Sequence, residues 1–181
     1  MRSDDSDMKI AGEVFREQKA ADDTEEMSRL LAREKANGNL SRARRLGAIM
    51  AEDVAAIEGE QVSEDSVLLT QRRILLAFAV EIGLEKVLPN PLLAQTAQNI
   101  FYETLRQTAP DFYEDLQSSG AFSFYYLCVR DKKNVERRVG ETYASLCSRP
   151  NDKGLCNQGT DLYLHFIEQV RVSAQSMEFV K

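Results

Sequence analysis

The chain has 181 residues, of which 43% are hydrophobic and 29% charged, with a formal net charge of −6. That length suits one domain with a real core, and the acidic balance argues against a protein that wraps nucleic acid with its whole surface. Nine Gly, four Pro and no Trp leave little turn material, which favours long helices over many short strands.

The opening MRSDDSDMKIAGEVF is acidic and lacks a continuous apolar core, so it does not read as a secretory signal. From Met1 to Ser28 there are four basic and nine acidic residues. From Arg29 to Arg45 there are six basic and one acidic, Glu34. From Leu46 to Ser66 there are six acidic residues and no basic ones. Blocks of alternating sign suit helices whose polar faces pair within the fold or across a symmetric dimer. Ile10, Ala11, Val14 and Phe15 make a short stripe out of phase with Met27, Leu30 and Leu31. Residues 1–22 are therefore expected to form an acidic arm, mobile or swapped, and residues 23–181 a single α-helical domain.

Asp23 and Glu26 stand at capping-box spacing, and Asn37-Gly38 is a natural helix stop. Ala43, Leu46, Met50, Val54 and Ile57 then share one face of a second helix, with Arg42 and Arg45 off it. The next helix is expected from Ser63 to Leu88. Its middle, ILLAFAVEIGL, is apolar almost all round, which makes it the central helix of a bundle. The run is also far too short to span a bilayer, so no membrane partner is expected.

Pro89-Asn90-Pro91 breaks that helix, with Asn90 as N-cap and Pro91 at the first position of a helix that turns Leu93, Ala97, Ile100, Phe101 and Leu105 inward. Pro110 starts a short helix that Ser118-Ser119-Gly120 ends. AFSFYYLCV follows and is expected to be buried. Val135, Val139, Tyr143 and Leu146 share a face of a helix from Asn134 to Leu146. Leu162, Phe166, Val170 and Met177 do so on a last helix from Thr160. The fold class is all-α: an irregular multi-helix bundle of about six or seven helices around residues 63–88, with an N-terminal helical arm.

Little of the chain carries chemistry. The soft metal ligands are Cys128, Cys147, Cys156 and His165, with no close pair among them. His165 points about 130° away from its helix's apolar stripe at about 100° per residue. Asp161, His165 and Glu168 share a helix face that reads as a solvated charge pattern, with Arg171 in reach of Glu168. SLCSRPNDKGLC, from Ser145 to Cys156, reads as a corner between two helices with Cys147 at the core edge. Three cysteines are an odd number and too few for a disulfide scaffold, which points to a reducing cytoplasm. Phosphate-binding glycine loops and nucleophile–base sets are absent, so no catalytic residue, metal or cofactor is assigned.

Two features stand out from that background. Glu81 lies inside ILLAFAVEIGL, and a buried carboxylate must be paired, neutralised or solvated. Arg137 and Arg138 are its candidate partners, and a raised pKa would suit it to proton transfer. Aromatic residues cluster between Phe101 and Tyr126. They form either plain core or a pocket, with Phe101, Tyr102, Tyr113, Tyr125 and Glu81 as its walls. The function expected is that of a non-enzymatic interaction or regulatory protein. It would bind itself, as a homo-oligomer, or another protein through the N-terminal charge-blocked helices, with Arg29, Arg33, Arg42, Arg44 and Arg45 at the interface. The alternatives are a ligand-binding regulator using the aromatic pocket and a nucleic-acid binder using Arg42, Arg44 and Arg45.

Overall fold

The computed structural model describes residues 23–57 and 66–180. The acidic arm expected over 1–22, and the first residues of the central helix, lie outside the described residues. Among those described there are eight helices and no strand, one helix more than expected. They are α1 over 23–36, α2 (Asn39–Ala55), α3 (Ser66–Val87), α4 (Pro91–Thr108), α5 (Pro110–Ser118), α6 (Ala121–Arg130), α7 (Val135–Leu146) and α8 (Lys153–Ser176). The chain divides into two units, one ending at Leu40 and the other starting at Ser41. None of the described helices is long and apolar enough to cross a membrane.

In the first unit, α1 exposes most of its surface and stops at Gly38, whose φ of 73° only glycine adopts without strain. A buried polar pair spans this stop. Glu34 accepts a 2.6 Å bond from the Asn39 side chain and a 2.8 Å bond from Arg33. Both Glu34 and Asn39 are withdrawn from water, so each supplies the partner that the other's burial requires.

The second unit is built around α3, which touches α4, α5, α6, α7 and α8. Every residue from Ile74 to Val80 is buried, as are Ile82, Gly83 and Leu84. This is the all-round burial its sequence calls for. Burying one large apolar side chain contributes about 1.5–3 kcal/mol. The helix therefore holds its place despite the desolvation of one carboxylate within it.

Helix α4 follows the sequence closely. Asn90 caps it by accepting from the Leu93 amide at 3.1 Å, and Leu93, Ala97, Phe101 and Leu105 are buried while Ile100 is only half-buried. Ala43, Leu46, Met50 and Val54 of α2 are fully buried. Ile57 lies beyond the end of that helix, where its carbonyl accepts from Arg73 at 2.9 Å. Gly47 marks where α2 meets α4, because a Cβ there would collide with the Ala97 carbonyl.

Helix α7 ends at Leu146 as expected, but the last helix departs from the expectation. The stretch SLCSRPNDKGLC is a corner, but a tighter one, because α8 begins at Lys153 rather than Thr160. Ser148 takes a left-handed φ of 60°, and the Arg149 amide turns back to the Ala144 carbonyl at 2.9 Å, closing α7. Asp152 then caps α8 by accepting from the Leu155 amide at 3.1 Å. Cys156 thus sits on the first turns of α8 and Cys147 at the end of α7, and all three cysteines are free thiols. Two glycines permit the close approach of these helices. A Cβ at Gly140 would strike the Cys156 carbonyl, and one at Gly159 would strike the Tyr143 ring at 2.7 Å.

Candidate functional site

Glu81 is the one carboxylate in the middle of α3, and the apolar residues around it on the helix leave it half-buried. Its partners are phenols rather than guanidinium groups. Tyr102 of α4 donates to one carboxylate oxygen, and Tyr126 of α6 donates to the other. The expected arginines are engaged elsewhere. Arg137 pairs with Glu141 at 2.8 Å, while Arg138 reaches Asp131 and the carbonyls at the end of α6. A phenol is short and uncharged, so it completes a half-buried carboxylate without the cost of desolvating a cation.

The surrounding rings fix this geometry. Phe78, one turn before Glu81, meets the Tyr126 ring edge-on at 5.3 Å and the Phe122 ring at 5.4 Å. Tyr102 packs edge-on against buried Phe101 at 5.1 Å. The Gln98 amide donates to the Glu81 backbone carbonyl and to the Glu85 carboxylate, at 3.3 Å each. Burial, followed by the negative charge of Glu85, pushes the Glu81 carboxyl up to about 7. The two phenol donors favour the charged form and oppose that rise. Burial also raises the Tyr126 phenol, which keeps it protonated as a donor. The site is thus a carboxyl group able to gain or lose its proton near neutral pH while linking α3, α4 and α6.

The residues expected to line one aromatic pocket separate. Phe101 and Tyr125 are fully buried, Tyr125 stacked on Phe78 at 5.1 Å. Tyr102 and Tyr113 instead border an open hollow of about 380 Å³ with Asn99, Glu103 and Arg106. Tyr102 also walls a second hollow of about 200 Å³ with Leu116 and Phe122. Within the expected set Tyr102 meets Phe101 edge-on and bonds to Glu81, while Tyr125 packs on Phe78 instead. Tyr126 joins Glu81 from 45 residues away, and no local pattern in the sequence signals that contact.

The N-terminal arginines fall into two groups. Arg29 pairs with Glu25 at 2.6 Å and Arg33 with Glu34 at 2.8 Å, both along α1. On α2, Arg44 and Arg45 are exposed and Arg42 is half-buried. At about 100° per residue, Arg42 and Arg44 lie about 160° apart, so the three do not form one open basic face.

His165 and Asp161 are exposed, and Glu168 is held by Arg171 at 2.7 Å. Among the described residues no three His, Cys, Asp or Glu side chains are grouped so as to hold a metal ion. In comparison with known proteins, no family model matches the chain, and no curated protein or solved structure matches it.

Proposed function

We propose that the protein is a non-enzymatic helical interaction protein that self-associates through α1. The observation that supports this reading is the exposed apolar stripe of that helix. Met27 keeps 53% and Leu31 45% of its surface in water, one turn apart and next to half-buried Leu30. A helix of this length with so little burial is marginal by itself, and a second copy would cover the stripe. The charges suit that partner. Asp23, Glu25 and Glu26 lie at the start of α1, whereas Arg29, Arg33 and Lys35 lie towards its end. Two copies paired antiparallel about a two-fold axis set each acidic start against the other's basic end. The three free thiols support a reducing, cytoplasmic setting.

A charge-swap experiment tests this reading. Arg29→Glu with Arg33→Glu leaves Lys35 as the single base on α1, and Glu25→Arg with Glu26→Arg leaves only Asp23 and Glu34 as acids. Each variant alone should show the mass of one chain by light scattering, and an equimolar mixture should show the mass of two. If each variant dimerises alone, or the mixture stays monomeric, the reading is wrong.

A further inference from the structure

We propose that the face formed by α6 and α7 docks an acidic amphipathic helix of a partner protein. This surface lies outside α1 and does not depend on the self-association above. The expectation that AFSFYYLCV is buried fails on this side of α6. Ala121, Tyr125 and Cys128 face the core, but Phe124 keeps 55% and Leu127 46% of its surface exposed. Single exposed apolar residues are ordinary. Here two large ones stand one turn apart and wall a hollow of about 260 Å³, whose other side is Arg138, Glu141, Thr142 and Ser145 of α7. A hollow between two helices with large apolar side chains along one wall is a shape that accepts the apolar stripe of a third.

The charge around this hollow defines the partner. Residues 130–138, RDKKNVERR, hold five basic and two acidic side chains in a chain with an overall excess of acids. Asp131 is engaged by Arg130 at 3.3 Å and Arg138 at 3.2 Å, and Glu141 by Arg137 at 2.8 Å, while Glu136 is exposed. Lys132 and Lys133 project from the turn between the helices, both exposed. With five bases against Asp131, Glu136 and Glu141, the surplus at the turn end of this face is positive, and carboxylates flanking the partner's apolar stripe would meet it.

The surface is also held in place before any partner arrives. Arg138 donates to the Leu127 carbonyl at 3.0 Å and to the Cys128 carbonyl at 3.4 Å, fixing the last turn of α6 against α7. Such preorganisation lowers the ordering cost of binding. A nucleic acid fits less well, since Phe124 and Leu127 offer phosphates nothing. An anionic membrane also fits less well, since the surface is concave.

Fluorescence anisotropy on the full chain tests the proposal. The probe is a labelled peptide of about 15 residues, with Leu at i, i+3, i+4 and i+7 and Glu elsewhere; a Lys-for-Glu version is the control. The acidic peptide should bind, and the control should bind at least about tenfold more weakly. Phe124→Ala with Leu127→Ala should weaken binding of the acidic peptide at least about tenfold. Both residues are exposed, so an unchanged melting temperature verifies that the variant folds. Raising NaCl from about 0.05 M to about 0.5 M should weaken binding further. Equal binding of both peptides, unchanged binding by the double variant, or tighter binding to phosphatidylserine vesicles or duplex DNA each overturns the proposal. Loss of the dimer mass in the double variant does so too, since a second copy would then occupy this face.

Discussion

Replacing Glu81 with Gln should remove a pH dependence that this one side chain imposes on folding. The Glu81 carboxyl rises from an ordinary value of 4.5 to about 7 in the folded chain, with burial as the main cause. Between those two values the folded protein holds a proton that the unfolded chain has already released. The contribution is complete below about 4.5 and is lost as pH rises through about 7, so stability falls across that window. At about 1.4 kcal/mol per unit, the shift corresponds to a ceiling of about 3 kcal/mol. Glu81 is only half-buried, and solvent screening reduces this to about 1–2 kcal/mol.

In the variant, the amide oxygen can accept from one phenol while the amide nitrogen donates to the other. Glu81→Gln therefore reproduces the neutral state at every pH. Urea unfolding of both proteins from pH 5 to pH 8.5 measures the difference directly, since all other titrating groups cancel. The variant should match the wild type near pH 5 and exceed it by about 1–2 kcal/mol at pH 8.5. A flat difference would refute the reasoning. So would a variant whose relative stability worsens as pH rises, because the phenol bonds to the charged carboxylate would then outweigh its burial.

Three further outcomes can be checked by thermal or urea denaturation. Tyr126→Phe removes one of the two donors to Glu81 and should cost about 1.5–3 kcal/mol above pH 8, where the carboxylate is charged, and less near pH 5. Gly140→Ala drives a methyl into the Cys156 carbonyl and should destabilise the chain by about 1–3 kcal/mol, with the helices forced apart. Asp152→Ala removes the cap of α8 and should cost about 1 kcal/mol, whereas Asp152→Asn should cost little.

Regular periodicity made much of the bundle legible. The stripe Ala43, Leu46, Met50 and Val54 is buried as read, and Asn90-Pro91 and Pro110 open helices where their chemistry requires. What failed depended on neighbours distant in sequence. Helix α6 looks buried by composition, yet a short helix at the edge of a bundle turns only one side inward, and its register exposes Phe124 and Leu127. The start of α8 was hidden because Gly154 and Gly159 resemble loop residues, whereas Gly159 is there to admit the Tyr143 ring. The end of α7 at Leu146 was legible even though a left-handed Ser148 stands where glycine is the usual signal.

The Glu81 site was half legible. An acid inside an apolar run announces that it needs partners, but Tyr102 and Tyr126 lie 21 and 45 residues away. Arginine is the usual guess for such a partner. Here Arg138 is taken up in closing α6, and a phenol reaches the carboxylate instead.

Sedimentation equilibrium over a range of protein concentrations tests self-association through α1 most directly. The wild-type chain should approach twice its 20.5 kDa as concentration rises, and Met27→Asp with Leu31→Asp should remain at 20.5 kDa throughout. A wild-type chain that stays monomeric at every concentration, or a double variant that dimerises as well as the wild type, would contradict the account.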